Sequence, residues 1–232
     1  DTADMDRAVM LGDAYYGDAS SIVPLCEKVG KPVMTQNCQV MEKNDFCNFL
    51  YATMAIRVNN NIWFSSNIMN ALFSMNLLTN GIDAVRFFPQ EENKGFLFFS
   101  YAKYQNSIFF APHSADTMWK YDIDADEFCN IDLHLSKEEK KLGSKFRLIL
   151  SHDDKLYLFG FDLPGIFEYD ILHSKVRRLF KEGAVEWNGN NIPIKFTGNY
   201  GMDEDSVYLL VADSNYVFQY YFSQNQYVVH FI

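Results

Sequence analysis

From about Asn48 to Ile232 the chain is a succession of short runs in which aromatic and branched aliphatic residues alternate with polar ones, each run closed by Asn, Asp, Gly or Ser. A two-residue period is the pattern of strands, and turn-forming residues between the runs mark where hairpins reverse. One run recurs. Ile62-Trp63-Phe64, Ile108-Phe109-Phe110, Leu156-Tyr157-Leu158 and Val207-Tyr208-Leu209 each set an aromatic after a branched aliphatic residue, with central residues 46, 48 and 51 positions apart. Twelve positions after those aromatics come Met75, Tyr121, Tyr169 and Tyr220. Unrelated alternations would drift against each other, so a fixed offset inside a varying period predicts one structural unit repeated four times.

Each unit divides into four short strands, as in Phe146–Leu150, Leu156–Gly160, Gly165–Ile171 and Lys175–Phe180, separated by His152-Asp153-Asp154, Asp162-Leu163-Pro164 and His173-Ser174. Both faces of these strands carry apolar side chains, so each small sheet needs cover on both sides. The expected fold is mainly β: four four-stranded antiparallel repeats, at about 48–89, 96–133, 145–181 and 193–232, in a module spanning 41–232. By architecture it resembles β-propeller and kelch-like repeat proteins, without the Trp-Asp dipeptide or the kelch Gly-Gly pair at matching positions. Four repeats lie at the lower limit for closing a ring. An incomplete ring would expose edge strands, from which we expect a homodimer.

Residues 1–40 read differently, as a small α/β segment in the order helix, strand, helix, strand. Thr2 is a candidate N-cap, with Met5, Ala8 and Val9 on one face and Gly12 as the stop; Ala14–Gly17 is a strand. Ile22, Leu25, Cys26 and Val29 follow the helical spacing up to Gly30-Lys31-Pro32, and Val33–Gln36 is the next strand. Ser20 and Ser21 therefore stand at a strand-to-helix turn, where serines serve as N-caps and where free N–H groups also suit a phosphate or carboxylate. The stretch Tyr16-Gly17-Asp18-Ala19-Ser20-Ser21, with Pro32 14 positions beyond Asp18, resembles the Asp-x-Ser-Ser…Lys-Pro segment in the C-terminal nucleotide-binding half of CDP-glycerol glycerophosphotransferases and related B-type glycosyltransferases. The resemblance implies that Ser20 and Ser21 contact donor phosphates and that Asp18 positions the turn. It covers only about 37 residues, has Ala19 where an aromatic is usual and brings no catalytic His, so it implies a nucleotide-diphosphate donor site without catalysis by this chain.

Composition narrows the classes. Aromatic residues make up 16% of the chain and lie in the alternating runs, as suits sheets. A formal charge of -10 repels phosphate backbones and anionic lipid, and the cations Lys140, Lys141, Lys145, Lys175, Arg177 and Arg178 are too few and too mixed with Glu138 and Glu139 to form more than a solvated surface. Nucleic acid is thus not an expected partner. Cys26, Cys38, Cys47 and Cys129 have no CxxC pairing and read as free buried thiols of a reducing compartment. No run reaches a membrane-spanning length, and Asp1-Thr2-Ala3-Asp4 does not open a signal peptide, which points to a cytoplasmic chain; the missing initiator Met points to a piece of a longer one.

Candidate chemistry outside the N-terminal segment is sparse. Asp122, Asp124 and Asp126 alternate like calcium ligands, but Glu127 and Leu133 occupy the places of the loop glycine and the bidentate acid, so a charged hairpin turn is the better reading. The five histidines, His113, His134, His152, His173 and His230, stand singly and give no metal site. Trp63 and Trp119 fall on repeated strand positions and read as core, whereas Trp187 lies in a Gly/Asn-rich loop where it could stack on a sugar. No catalytic residue and no cofactor is assigned. The expected function is a non-catalytic binding module for a glycan or protein partner, forming the C-terminal part of a bacterial envelope-polymer transferase of the teichoic-acid or polysaccharide type. The alternatives are a free-standing protein- or glycan-binding propeller and a sugar-active propeller enzyme.

Overall fold

The computed structural model describes residues 15–17, 26, 28–30, 33–35, 52, 54–66, 70–89, 91, 96–187 and 190–231. The chain divides into two units, Asp1–Leu50 and Tyr51–Ile232. In the first, β1 (Tyr15–Gly17) and β2 (Val33–Thr35) pair in parallel, Tyr15 opposite Val33 and Gly17 opposite Thr35. Parallel neighbours need a crossover, and Cys26 and Lys28 are helical within it, ending at Gly30, whose φ of +71° suits a residue without Cβ. Asp18, Ser20, Ser21 and the first expected helix lie outside the described residues.

The second unit holds four four-stranded antiparallel sheets in sequence order. The first comprises β3 (Ile56–Val58), β4 (Asn61–Ser65), β5 (Ala71–Asn76) and β6 (Ile82–Phe87). The second comprises β7 (Phe98–Tyr104), β8 (Ser107–Pro112), β9 (Met118–Asp122) and β10 (Glu127–Ile131). After a capped turn of helix, α1 (Lys137–Lys140), the third follows as β11 (Phe146–His152), β12 (Lys155–Gly160), β13 (Ile166–Asp170) and β14 (Lys175–Arg178). The strands β15 (Ala184–Trp187) and β16 (Asn190–Pro193) form a separate two-stranded hairpin, and β17 (Phe196–Met202), β18 (Ser206–Val211), β19 (Tyr216–Tyr221) and β20 (Gln226–Phe231) form the last large sheet. The described part of this unit thus has five sheets, not the four expected. Val185 explains the extra one: it is buried in the cluster between the third and fourth large sheets, which the hairpin helps to fill. Trp187 accordingly belongs to a strand, paired with Asn190, and not to a loop.

Cross-strand register accounts for the repeat. Ile62 pairs with Met75, Ile108 with Tyr121, Leu156 with Tyr169 and Val207 with Tyr220, so the twelve-residue offset is one register used four times between the second and third strands. Two further bonds repeat with it. The amides of Leu77, Ile123, Ile171 and Phe222, each two residues past that position, donate to the carbonyls of Asn60, Asn106, Asp154 and Asp205 in the preceding hairpin turns, at 2.8, 3.0, 3.0 and 2.9 Å. The hydroxyls of Tyr121, Tyr169 and Tyr220 donate to side chains five residues on, Asp126 (2.6 Å), Ser174 (3.5 Å) and Asn225 (2.9 Å). These acceptors all have positive φ, +55°, +53° and +51°, as does Asn80 beyond Met75, where the hydroxyl is absent. The tyrosine thus clamps the turn into the outer strand.

The cores lie between sheets. Three buried clusters join the first large sheet to the second, the second to the third and the third to the fourth. Within each, the second-strand aromatic of one sheet meets the third-strand tyrosine of the next: Trp63 and Tyr121 at 5.3 Å between ring centroids, Phe109 and Tyr169 at 6.3 Å, Tyr157 and Tyr220 at 5.9 Å. Polar ties cross the same seams, among them the bidentate pair of Arg86 with Asp126 (2.7 and 2.6 Å) and the bond from the Ile149 amide to Ser100 Oγ (3.1 Å). Among the described residues Tyr208 has no such ring neighbour. Tyr157 and Phe159 are 1% and 0% exposed, whereas Tyr208 and Leu210, at the matching places of the fourth sheet, are 37% and 45% exposed.

Two residues depart from expectation. Lys145 is fully buried, its Nζ donating to the Leu142 carbonyl at 2.8 Å, because it sits at the entry to β11 beneath the α1 turn and not on a solvated face. Cys129 is exposed, since it lies on the outer strand β10; Cys26 is buried as expected, both are free thiols, and Cys38 and Cys47 fall outside the described residues.

The seams predict unequal costs for one substitution. Tyr157→Ala should lose about 3 kcal/mol or more of unfolding free energy, as buried aromatic truncations do. Tyr208→Ala should lose about 1 kcal/mol or less. Urea denaturation midpoints of the two variants decide it, and equal losses would mean that the Tyr208 face is covered in solution.

Candidate functional site

The first strands of the second, third and fourth large sheets all carry a register shift at the same place. Phe98 pairs with Pro112 but Tyr101 with Phe110; Phe146 pairs with Gly160 but Leu148 with Phe159; Phe196 pairs with Val211 but Tyr200 with Leu209. The residues between these pairs, Phe99 and Ser100, Arg147, and Thr197 to Asn199, outnumber those opposite them by one, one and two, and bulges of this kind bend a strand and re-aim its side chains. These bulges converge. Together with Met54, Leu148 and Tyr200 they line one cavity of about 440 Å³. Such a volume falls within the range of small-molecule sites.

Gly198 permits the approach of β17 to β11. Its φ is +93°, and a Cβ placed on it would stand 2.9 Å from the Arg147 carbonyl oxygen. Arg147 itself is half-buried, its guanidinium lying 3.6 Å from the Phe161 ring centroid and 5.6 Å from that of Phe99. Its Nε donates to Ser144 Oγ at 3.4 Å. Ser144 Oγ is also 3.3 Å from His113 Nδ1, which lies 3.2 Å from the Phe146 carbonyl oxygen. Burial first, and then the charges of Arg147 and Lys145, hold the His113 imidazole below its ordinary value, against the opposing pull of the Phe146 carbonyl. The cavity wall is therefore cationic at Arg147, with Phe99 and Tyr200 as its aromatic members and Ser100, Thr197 and Asn199 as its polar ones.

The other sequence candidates are placed elsewhere. Asp122, Asp124 and Asp126 form the β9–β10 turn as expected: Asp122 Oδ1 accepts from the Ala125 amide, Asp124 from Asn106, and Asp126 from Arg86 and Tyr121. The Arg86 guanidinium, and then the Tyr121 hydroxyl, hold the Asp126 carboxyl at about 2. Among the described residues no group of His, Cys, Asp and Glu is arranged to hold a metal. Trp63 and Trp119 are buried core, the Trp119 indole donating to Glu91 Oε1 at 3.0 Å. Of the cations in the expected solvated group, Arg177 pairs with the buried Glu168 at 2.6 Å, Arg178 with Glu139 at 2.7 Å and Lys141 with Glu138 at 3.1 Å. The sequence reading did not pick out Arg147, because a bulge leaves no trace in a pattern of alternation. The signal available was the repeated Phe98, Phe146 and Phe196, each 11 or 12 positions before the second-strand aromatic.

No protein-family model matches the chain, and no curated protein does. Solved structures do match. The chain is similar to Kuenenia stuttgartiensis hydrazine synthase (TM-score 0.56, 10% identity, 80% of this chain and 50% of that one). It is similar to a streptogramin B lyase (TM-score 0.55, 16% identity, 77% and 53%). It also resembles the WD40 domain of Neurospora crassa Pan2 (TM-score 0.50, 8% identity, 76% and 50%). The chain spans about half the length of each. At these identities the likeness establishes the fold, which is β-propeller-like. Among the described residues no helix is long and apolar enough to cross a membrane.

The His113 environment predicts a pH dependence. With its folded value below the unfolded one near 6.5, the unfolded chain binds the extra proton, so stability is complete above that value and falls as the pH is lowered toward the folded value. Thermal midpoints should therefore decline between about pH 7 and 5, and His113→Gln should flatten that slope. An unchanged slope in the variant would place the titration elsewhere.

Proposed function

We propose that the chain is a non-catalytic binding module that takes its ligand in the cavity of the bulged first strands. The observation that carries this reading is the convergence of three equivalent bulges on one cavity. A bulge costs ladder hydrogen bonds, and three at the same place in successive sheets shape a surface that regular strands would leave flat. Asn199 is exposed at the rim, so Asn199→Trp should fill the cavity without disturbing the core. Ligand-observed NMR of the whole chain against a fragment library should give binders that the variant loses. Binders retained unchanged by Asn199→Trp would move the site away from the cavity.

A second observation favours a protein contact on the fourth sheet, where Tyr208 and Leu210 remain exposed on a face whose counterparts are buried. A protein partner or a second copy of the chain fits there, and light scattering of wild type against Leu210→Glu distinguishes the two: a mass that halves in the variant means self-association.

The envelope-polymer transferase reading rests on the resemblance over Asp18 to Pro32. In that reading Ser20 and Ser21 hold donor phosphates. CDP-glycerol should then raise the thermal midpoint by mass action, and Ser20→Ala/Ser21→Ala should abolish the rise. No rise at millimolar ligand would leave the segment a structural role.

A further inference from the structure

We infer that the cavity of the bulged strands recognises a carboxylate, held by the guanidinium of Arg147 and flanked by the ring of Phe99. This inference rests on the reading of that cavity as the binding site, and adds the chemistry of what enters it. Three arginines in the sheets of this unit hold carboxylates: Arg86 grips Asp126, Arg177 grips Glu168 and Arg178 grips Glu139, while the exposed Arg57 donates only to the Asn59 carbonyl. Arg147 grips none. Among the described residues its only hydrogen bond leaves from Nε to Ser144 Oγ, at a long 3.4 Å, and it enters no ion pair. In a chain with 30 acidic against 20 basic residues, a half-buried guanidinium with no ion-pair partner among the described residues has its fork open to an anion, the neighbouring Asp162 being held by Lys195 at 3.0 Å instead.

The geometry supplies one. Stacking at 3.6 Å from the Phe161 centroid fixes the plane of the guanidinium, and the Ser144 bond occupies its Nε side. The two terminal nitrogens remain. Such a fork matches the two oxygens of a planar carboxylate, in bonds that are stronger where water is partly excluded. One cation neutralises one negative charge, so a monoanion fits better than a dianionic phosphate. Met54, Leu148, Phe99 and Tyr200 form the apolar part of the remaining wall, beside Ser100, Thr197 and Asn199, and suit an apolar or planar body attached to the carboxylate.

The probes are benzoate, its neutral isostere benzamide and inorganic phosphate, titrated calorimetrically into the whole chain up to about 10 mM, well above the about 1 mM dissociation constant reasonable for a fragment. Benzoate should bind at least about tenfold more tightly than benzamide, and more weakly as salt is raised. Arg147→Gln should remove that tenfold preference while leaving benzamide unchanged; Arg147→Lys, which keeps the charge but not the fork, should retain part of it. Equal binding of benzoate and benzamide to wild type, which requires no variant to fold, overturns the inference. Phosphate binding more tightly than benzoate overturns it in favour of a phosphate site. If benzamide binds as well as benzoate and Asn199→Trp abolishes both, the cavity is the site but the carboxylate is wrong. If neither probe binds, or Asn199→Trp changes nothing, both the carboxylate and the cavity are wrong.

Discussion

Everything in the repeat unit depends on one contact, the packing of a second-strand aromatic of one sheet against the third-strand tyrosine of the next. A four-stranded sheet of this size with apolar side chains on both faces cannot bury them by itself, so its stability resides in its neighbours. The three buried clusters lie between sheets for this reason, and none is the private core of a single sheet. The same tyrosine does two things at once. Its ring closes the seam while its hydroxyl fixes the turn into the outer strand, so seam packing and hairpin geometry are coupled through a single side chain.

That coupling leaves the first strands free to vary. Held between neighbouring sheets by Phe98, Phe146 and Phe196, all essentially buried, each first strand can bulge immediately beyond its anchor without losing its place. Arg147 is displayed by this means. It follows the buried Phe146 directly, and Gly198 of the next sheet comes close to its carbonyl because no Cβ intervenes. A rigid frame with irregular inner edges is a common way to hold polar groups in a cavity without risking the core.

Much of this was legible in the sequence. The four large sheets, their order and the register of their second and third strands follow from a twelve-residue offset that only a fixed hairpin geometry can preserve. Trp63 and Trp119 were placed in the core by falling on repeated positions, and the three aspartates in a turn by lacking the glycine and bidentate acid of a calcium loop. The fifth sheet was legible in principle, since Asn188-Gly189 is a favoured hairpin dipeptide between runs of strand formers. Its strands are four residues each, too short to stand out from a loop. Lys145 and Cys129 were misplaced for a related reason: burial at the entry to a strand, or exposure on an outer one, depends on which neighbour lies above, and composition does not carry that.

By itself the sequence determined the mainly β class of fold, its four-stranded antiparallel sheets and the register of their second and third strands, because local alternation, turn residues and spacing are properties of neighbours along the chain. Only the tertiary structure decided which faces are covered and what stands in the cavity. Tyr157 and Tyr208 occupy equivalent places in equivalent strands, yet one is buried and the other exposed because a following sheet lies against only the first. Arg147 stands in the cavity for the same kind of reason. Phe161 comes from its own repeat, but Phe99 and the Thr197–Tyr200 wall come from sheets about fifty residues away on either side, and no local pattern records such a meeting.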